Sequence, residues 1–264
     1  MDITALLAIA CSFGFILVGN ALEGGHLSSL IQPTAALIVF GGTIGAVWLG
    51  ATPAEVKGTF KMLPRLLRPN TADRHKLLED ILRVTTVVRR DGMLAVENIL
   101  PTIGDDMLRR GLQMLVDGNS GDDVRRVLEL ETDLHEHHQN AAAKLWADGG
   151  GYAPTVGILG AVLGLIHVMS NLSDPSKLGA GIAVAFVATI YGVGAANLIF
   201  LPLGARLKKI VGIESEDRQM IMAGIAGIVA GANNRQISEM LAPFLPHDVK
   251  HVKVDNGDAN KQAA

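Results

Sequence analysis

The side chains able to carry chemistry in this sequence are few, and most lie in apolar surroundings. Thr189 sits in Leu178–Ala205, a run without Asp, Glu, Lys or Arg. A hydroxyl there can hydrogen-bond water or a passing ion, or bond back to its own helix carbonyl. Ala185, Ala188, Gly192, Ala195 and Ala196 recur around it at helical spacing. Such a small-residue face suits close helix packing or the border of a narrow pore. Gly157, Gly160 and Gly164 form a similar stripe in Gly149–Ser173, also free of those charges. Pro154 fits a first helical turn, where a missing N–H costs nothing. Pro202 falls inside a continuous pattern from Leu198 to Lys208, so it predicts a kink that frees a carbonyl. His167 is the one group deep in either run whose ordinary pKa lies near neutral pH. Membrane proton relays use Asp, Glu or His inside the bundle, so a carboxylate that carries ions must come from a partner.

Two polar clusters lie outside these runs. His135-Glu136-His137-His138 has metal-binding residue types, but it lacks the spacing that puts two imidazoles on one helix face, and a solvated helix surface is expected. Arg89, Arg90 and Glu97 flank Gly92 and read, by themselves, as surface charges. No nucleophile–base spacing, phosphate-binding glycine loop or metal set points to an enzyme, and no cofactor is expected. A net charge of −3 and the lack of a basic patch interleaved with aromatics give no sign of nucleic-acid binding.

The elements that must position these residues are apolar helices. Ile3–Leu22 and Gly24–Ala54 are, like the two runs above, free of Asp, Glu, Lys and Arg. Each of the four is long enough for a spanning helix of roughly 20 residues. The expected fold is all-α, with spans near 3–22, 32–52, 152–170 and 179–205. These make a first hairpin over 1–52 and a second over 149–208. The amino terminus has no basic residue ahead of its apolar run, so this segment reads as a retained helix. Of 23 Lys and Arg, only Lys177 falls in a short turn. The positive-inside rule then places both termini and the loop 53–148 in the cytoplasm.

Within that loop, amphipathic periodicity predicts helices over Ala72–Arg90, Asp105–Val116 and Asp122–Ala147, the last leading straight into the third span. In the tail 209–264, Gln219–Asn234 is too short to span and reads as a single soluble helix. The stretch from His247 to Ala264 is polar enough to expect disorder. Cys11 is the only cysteine, which excludes an intrachain disulfide.

The stretches APTVGILGAVLGLIHVM and LPLGARLK, the spacing of Arg89, Gly92 and Glu97, and the two prolines resemble the MotA family of flagellar-motor stator subunits. The likeness covers nearly the whole chain. It implies five copies around two copies of a single-span MotB-type partner, which supplies the essential membrane aspartate and a peptidoglycan-binding domain. Ion flow past that aspartate would turn the ring against the rotor protein FliG. By position, Arg89 and Glu97 match rotor-contacting charges, with Arg90 the alternative arginine. Pro154 and Pro202 match coupling prolines, and Thr189 matches a pore-facing threonine. Ala161 stands where sodium-driven relatives carry a second threonine, which favours protons. The inner membrane is the implied location. The related ExbB/TolQ group, which energises outer-membrane transport, resembles the last two spans but lacks the full first hairpin.

Overall fold

A computed structural model describes residues 3–68, 72–173 and 175–245; it holds helices and, among these residues, no strand. The chain divides into two compact units, 1–70 with 136–211, and 71–135 with 212–264.

The first unit opens with α1 (Ile3–Leu22). A short 3-10 turn leads to α2 (Pro33–Ala36), a π turn over Leu37–Gly41 and α3 (Gly42–Leu49). Next comes α4 (Pro53–Met62). Thr52 caps it reciprocally: the Glu55 N–H donates to the Thr52 hydroxyl, and the Thr52 N–H donates to the Glu55 carboxylate. Further on, α7 (Gly121–Ser170) contributes its residues from 136 onward, followed by α8 (Pro175–Ala195). A second π turn at Ala196–Phe200 then leads into α9 (Leu201–Val229). Ala35 and Val39 pack on Val187 and Ala188, while Met62 and Leu66 pack on Ala142, Ala143, Leu207 and Val211. On α4 the Thr59 hydroxyl, buried, lies 2.8 Å from the Ala142 carbonyl oxygen and 2.9 Å from that of Glu55.

Three helical stretches are long and apolar enough to cross a membrane: Leu27–Leu49, and windows within Gly121–Ser170 and Leu178–Val229. Leu7–Leu22 is apolar but shorter. Large apolar side chains such as Phe15 and Leu49 stand exposed on these helices, as a lipid solvent or an apolar partner requires.

The second unit contains α5 (Arg74–Asp91), α6 (Asp106–Val116), the start of α7, the end of α9 and α10 (Asn234–Leu241). Its core joins Ile81 and Val84 of α5, Leu108 and Leu112 of α6, Leu128 of α7 and Ile221 of α9. Asp73 caps α5 by accepting from the N–H groups of His75 and Lys76. Asp105 caps α6 by accepting from Leu108 N–H.

The helix α7 runs unbroken through 50 residues, about 75 Å, so the third expected span continues a longer helix, as the pattern after Asp122 predicted. Two expectations need correction. Pro154 lies deep inside α7 rather than in a first turn, because nothing between Gly121 and Pro154 ends the helix. The tail carries two helices rather than one: the expected Gln219–Asn234 helix is the end of α9 as far as Val229, and α10 begins at Asn234. Gly231, at φ +71°, turns the chain, and Asn233 with Gln236 caps α10 reciprocally. The stretch expected to be disordered lies outside the described residues.

Candidate functional site

In the first unit, α7 and α8 approach closely enough for backbone to touch backbone. A Cβ added at Gly157 would lie 2.9 Å from the Ala188 carbonyl oxygen, and one at Gly192 would lie 2.6 Å from that of Ala153. At Gly160 the added atom would lie 2.9 Å from the Ala188 Cβ. The two small-residue stripes seen in the sequence therefore meet each other. This contact puts Ala161 and Thr189, each one residue beyond a touching position, at the same level of the pair. Thr189 is exposed, with its hydroxyl 3.2 Å from the Ala185 carbonyl oxygen. That long back-bond leaves the hydroxyl oxygen free to accept from water or to coordinate a cation. Ala161 is half-buried and has no polar atom beyond its backbone. His167 is exposed near the end of α7.

The prolines occupy facing turns. Pro154 cannot donate to the Gly150 carbonyl one turn earlier. Gly150 in turn lies against Leu201, the neighbour of Pro202: an added Cβ would fall 2.5 Å from the Leu201 side chain. Just ahead of Pro202, where the sequence predicts a kink, a π turn runs over Ala196–Phe200. That turn widens the helix where the proline ring would strike the preceding carbonyls. The Gly150 carbonyl, which Pro154 cannot serve, thus lies beside the residue that follows the π turn.

The loop charges are set by the end of α5. Gly92, at φ +86°, takes the left-handed conformation that stops the helix, and a 3-10 turn follows over Met93–Asn98. Val96 anchors this turn in the core, which leaves Glu97 exposed. Arg89 and Arg90 are exposed in the last turn of α5. The two arginines differ in one respect: Arg90 lies 2.8 Å from the Asp91 carboxylate. The hydrogen bond and charge of Asp91 raise the Arg90 pKa, and Arg90 holds the Asp91 carboxyl below the usual range. Among the described residues, Arg89 and Glu97 have no ion-pair partner. The acid beside Arg90 in the sequence was the signal that separates the two arginines.

His135 stands 3.5 Å from Glu214, and His137 and His138 are exposed with their rings edge to face. No group of three potential ligands for a metal is assembled among the described residues. Sequence reasoning missed a network in the second unit. Arg74 on α5 donates to Asp217 at 2.5 Å, to Glu216 at 2.9 Å and to the Phe244 carbonyl at 2.7 Å, and the Ala72 N–H also donates to Asp217. Burial works to lower the Arg74 pKa, but the two carboxylates outweigh it and raise the value.

Residues 100–220 match the MotA/TolQ/ExbB proton channel family, and residues 6–92 match the Motility protein A N-terminal family. Motility protein A of Bacillus subtilis (strain 168) is 32% identical over 98% of this chain and 96% of its own length. Chemotaxis protein PomA of Vibrio alginolyticus is 29% identical over 97% of this chain and its own full length. The structure of C. jejuni MotAB superposes with a TM-score of 0.89 at 31% identity, covering 94% of this chain and 98% of that one. The flagellar MotAB stator complex of Bacillus subtilis gives 0.84 at 32% identity, covering 92% and 96%.

Proposed function

The chain belongs to the MotA/TolQ/ExbB proton channel family, and we infer from this that it is the ion-conducting stator subunit of a bacterial flagellar motor. What carries the reading is the near full-length likeness to MotAB stator complexes in both sequence and backbone. The chain's own chemistry is consistent with it. The apolar helices provide a small-residue wall and an exposed hydroxyl at Thr189, but no carboxylate. A MotB-type partner supplies the missing acid from its single span. Ala161 offers no hydroxyl to replace a sodium ion's hydration shell, so the transported ion is the proton, handled by water and the partner's carboxylate.

In this reading α1 is a fourth span, and five copies surround the partner in the inner membrane. Both termini and residues 53–148 lie on the cytoplasmic side. Ion passage alters the helix pair at the level of Pro154 and Pro202, where backbone hydrogen bonds are already weakened. Movement follows in the loop that presents Arg89 and Glu97 to complementary charges on FliG. Charge pairs at such a contact give steering and register more than affinity. The free arginine, Arg89, is the better candidate for that contact than Arg90, whose charge Asp91 already engages.

The test is deletion of the gene, with swimming scored alongside electron microscopy. Cells that build complete flagella but do not turn them support the assignment. Normal swimming with impaired outer-membrane uptake would instead indicate an ExbB/TolQ-like energiser.

A further inference from the structure

Helix α4 has one face that neither the ion path nor the rotor-facing charges explain. Its Thr59 and Met62 are buried, packed against α7 and α9. At 3.6 residues per turn, Lys57, Phe60 and Lys61 share about 100° of arc on the opposite side. All three are exposed, Phe60 to 64%. Glu55, the one acid of α4, falls on the inward side, its carboxylate accepting from the Thr52 N–H and hydroxyl. Among the described residues, neither lysine has an ion-pair partner, and nor does Arg68, exposed a little further on. The outward face therefore sets unpaired cations around an aromatic ring, with no acid among them. Its place in the chain is as telling. The apolar stretch Leu27–Leu49 ends just before Pro53 begins α4, and Trp48 and Leu49 at that end are exposed. Thr52 between them is extended, so α4 is a new helix and not a continuation of the apolar one.

We propose that this face of α4 lies on anionic phospholipid of the cytoplasmic leaflet, with the Phe60 ring below the headgroups and Lys57 and Lys61 on their phosphates. Lysines beside an aromatic ring on one helix face are the pattern of a helix lying in a membrane interface. Basic residues directly after a span are drawn to anionic lipid, and tryptophan at a span's end, as at Trp48, suits the headgroup level. Each lysine stem can run along apolar surface while its ammonium stays with the phosphates. Other occupants fit less well. A symmetric contact with a second copy would set lysine against lysine, and an apolar protein groove would bury two charges without partners. The inference rests on the reading that residues 53–148 lie on the cytoplasmic side of a membrane.

The experiment uses the full chain with Cys11→Ser and Phe60→Cys, expressed with its single-span partner and carrying a nitroxide at position 60. The complex is reconstituted into phosphatidylcholine vesicles with or without phosphatidylglycerol. Collisions with oxygen, which concentrates in the bilayer, are compared with those of a water-soluble nickel chelate. Labels at Leu37→Cys in the apolar stretch and Leu94→Cys in the second unit mark the lipid and water limits. The label at position 60 is expected to favour oxygen in the anionic vesicles. Lys57→Gln with Lys61→Gln moves it toward the chelate, since two lysines at an anionic surface change the bound-to-free ratio about 30-fold. Arginine at both positions leaves it with oxygen. A chelate-accessible label at position 60, beside an oxygen-favouring one at position 37, overturns the proposal and leaves the membrane reading intact. A label shielded from both reagents also overturns it, because a second copy or an acidic protein then covers the face. So does an oxygen preference indifferent to both phosphatidylglycerol and the lysines. A chelate-accessible label at position 37 overturns the membrane reading as well.

Discussion

Replacing Gly192 by alanine probes the α7–α8 crossing at its tightest point. The new Cβ would stand 2.6 Å from the Ala153 carbonyl oxygen, 2.9 Å from the Gly157 Cα and 3.3 Å from the Gly157 nitrogen. All three are backbone atoms, so no rotamer change relieves the clash and the helices must separate. Overpacking of this kind costs about 1–3 kcal/mol, or a fall of roughly 5- to 150-fold in the folded-to-unfolded ratio. Gly212 in α9 is the control: it is exposed, and an added Cβ meets nothing within 4 Å. Alanine there gains about 0.5–1 kcal/mol, because glycine loses more backbone entropy in a helix. Thermal unfolding of the complex in detergent, followed by circular dichroism, reads both variants. Gly192→Ala melts below the parent, and Gly212→Ala melts at or above it. A Gly192→Ala complex as stable as the parent would refute the backbone-to-backbone crossing.

Other outcomes follow from the same contacts. Arg74→Ala strands Asp217, whose side chain is only 7% exposed, and costs about 3 kcal/mol by urea unfolding; the loss is smaller when Asp217→Asn accompanies it. The N–H and hydroxyl of Thr52 hold the Glu55 pKa below its ordinary value. The cap's contribution is therefore complete above the unfolded carboxyl pKa and is lost as pH falls through the lower folded value. In Glu55→Gln that part of the acid slope in a melting series disappears. Arg89→Glu is expected to reduce torque in tethered cells far more than Arg90→Glu while leaving ion flux unchanged; equal losses would contradict the distinction drawn from Asp91.

Much of the fold was legible because its signals are local. The amphipathic runs Ala72–Arg90 and Asp105–Val116, and the unbroken run from Asp122 into the third apolar stretch, all depend on residues a turn or two apart. Asn233 with Gln236 was an equally local signal for α10, obscured by the apolar run before it. The continuity of α9 was harder to read. Glu214, Ser215 and Asp217 look like a solvated boundary, yet they are buried, and Asp217 is satisfied by Arg74, 143 residues away in sequence. A charge run reads as exposed until its distant partner is known. Pro154 misled for a related reason, because a long helix held by tertiary packing tolerates a proline that an isolated one would not. In the candidate site, the two glycine and alanine stripes could be seen separately. Their meeting at Gly157 and Gly192, and that of Gly150 with Leu201, are pairings between helices that no local pattern encodes.

In the stator reading this chain forms the wall of an ion path but leaves the titrating carboxylate to its partner. Proton entry into vesicles, read with an internal pH dye under an imposed potential, tests it most directly. The expected result is no flux with this chain alone, flux when the single-span partner is present, and loss of flux when the partner's membrane aspartate is changed to asparagine. Proton conduction by this chain alone, or flux that survives the asparagine change, would contradict it.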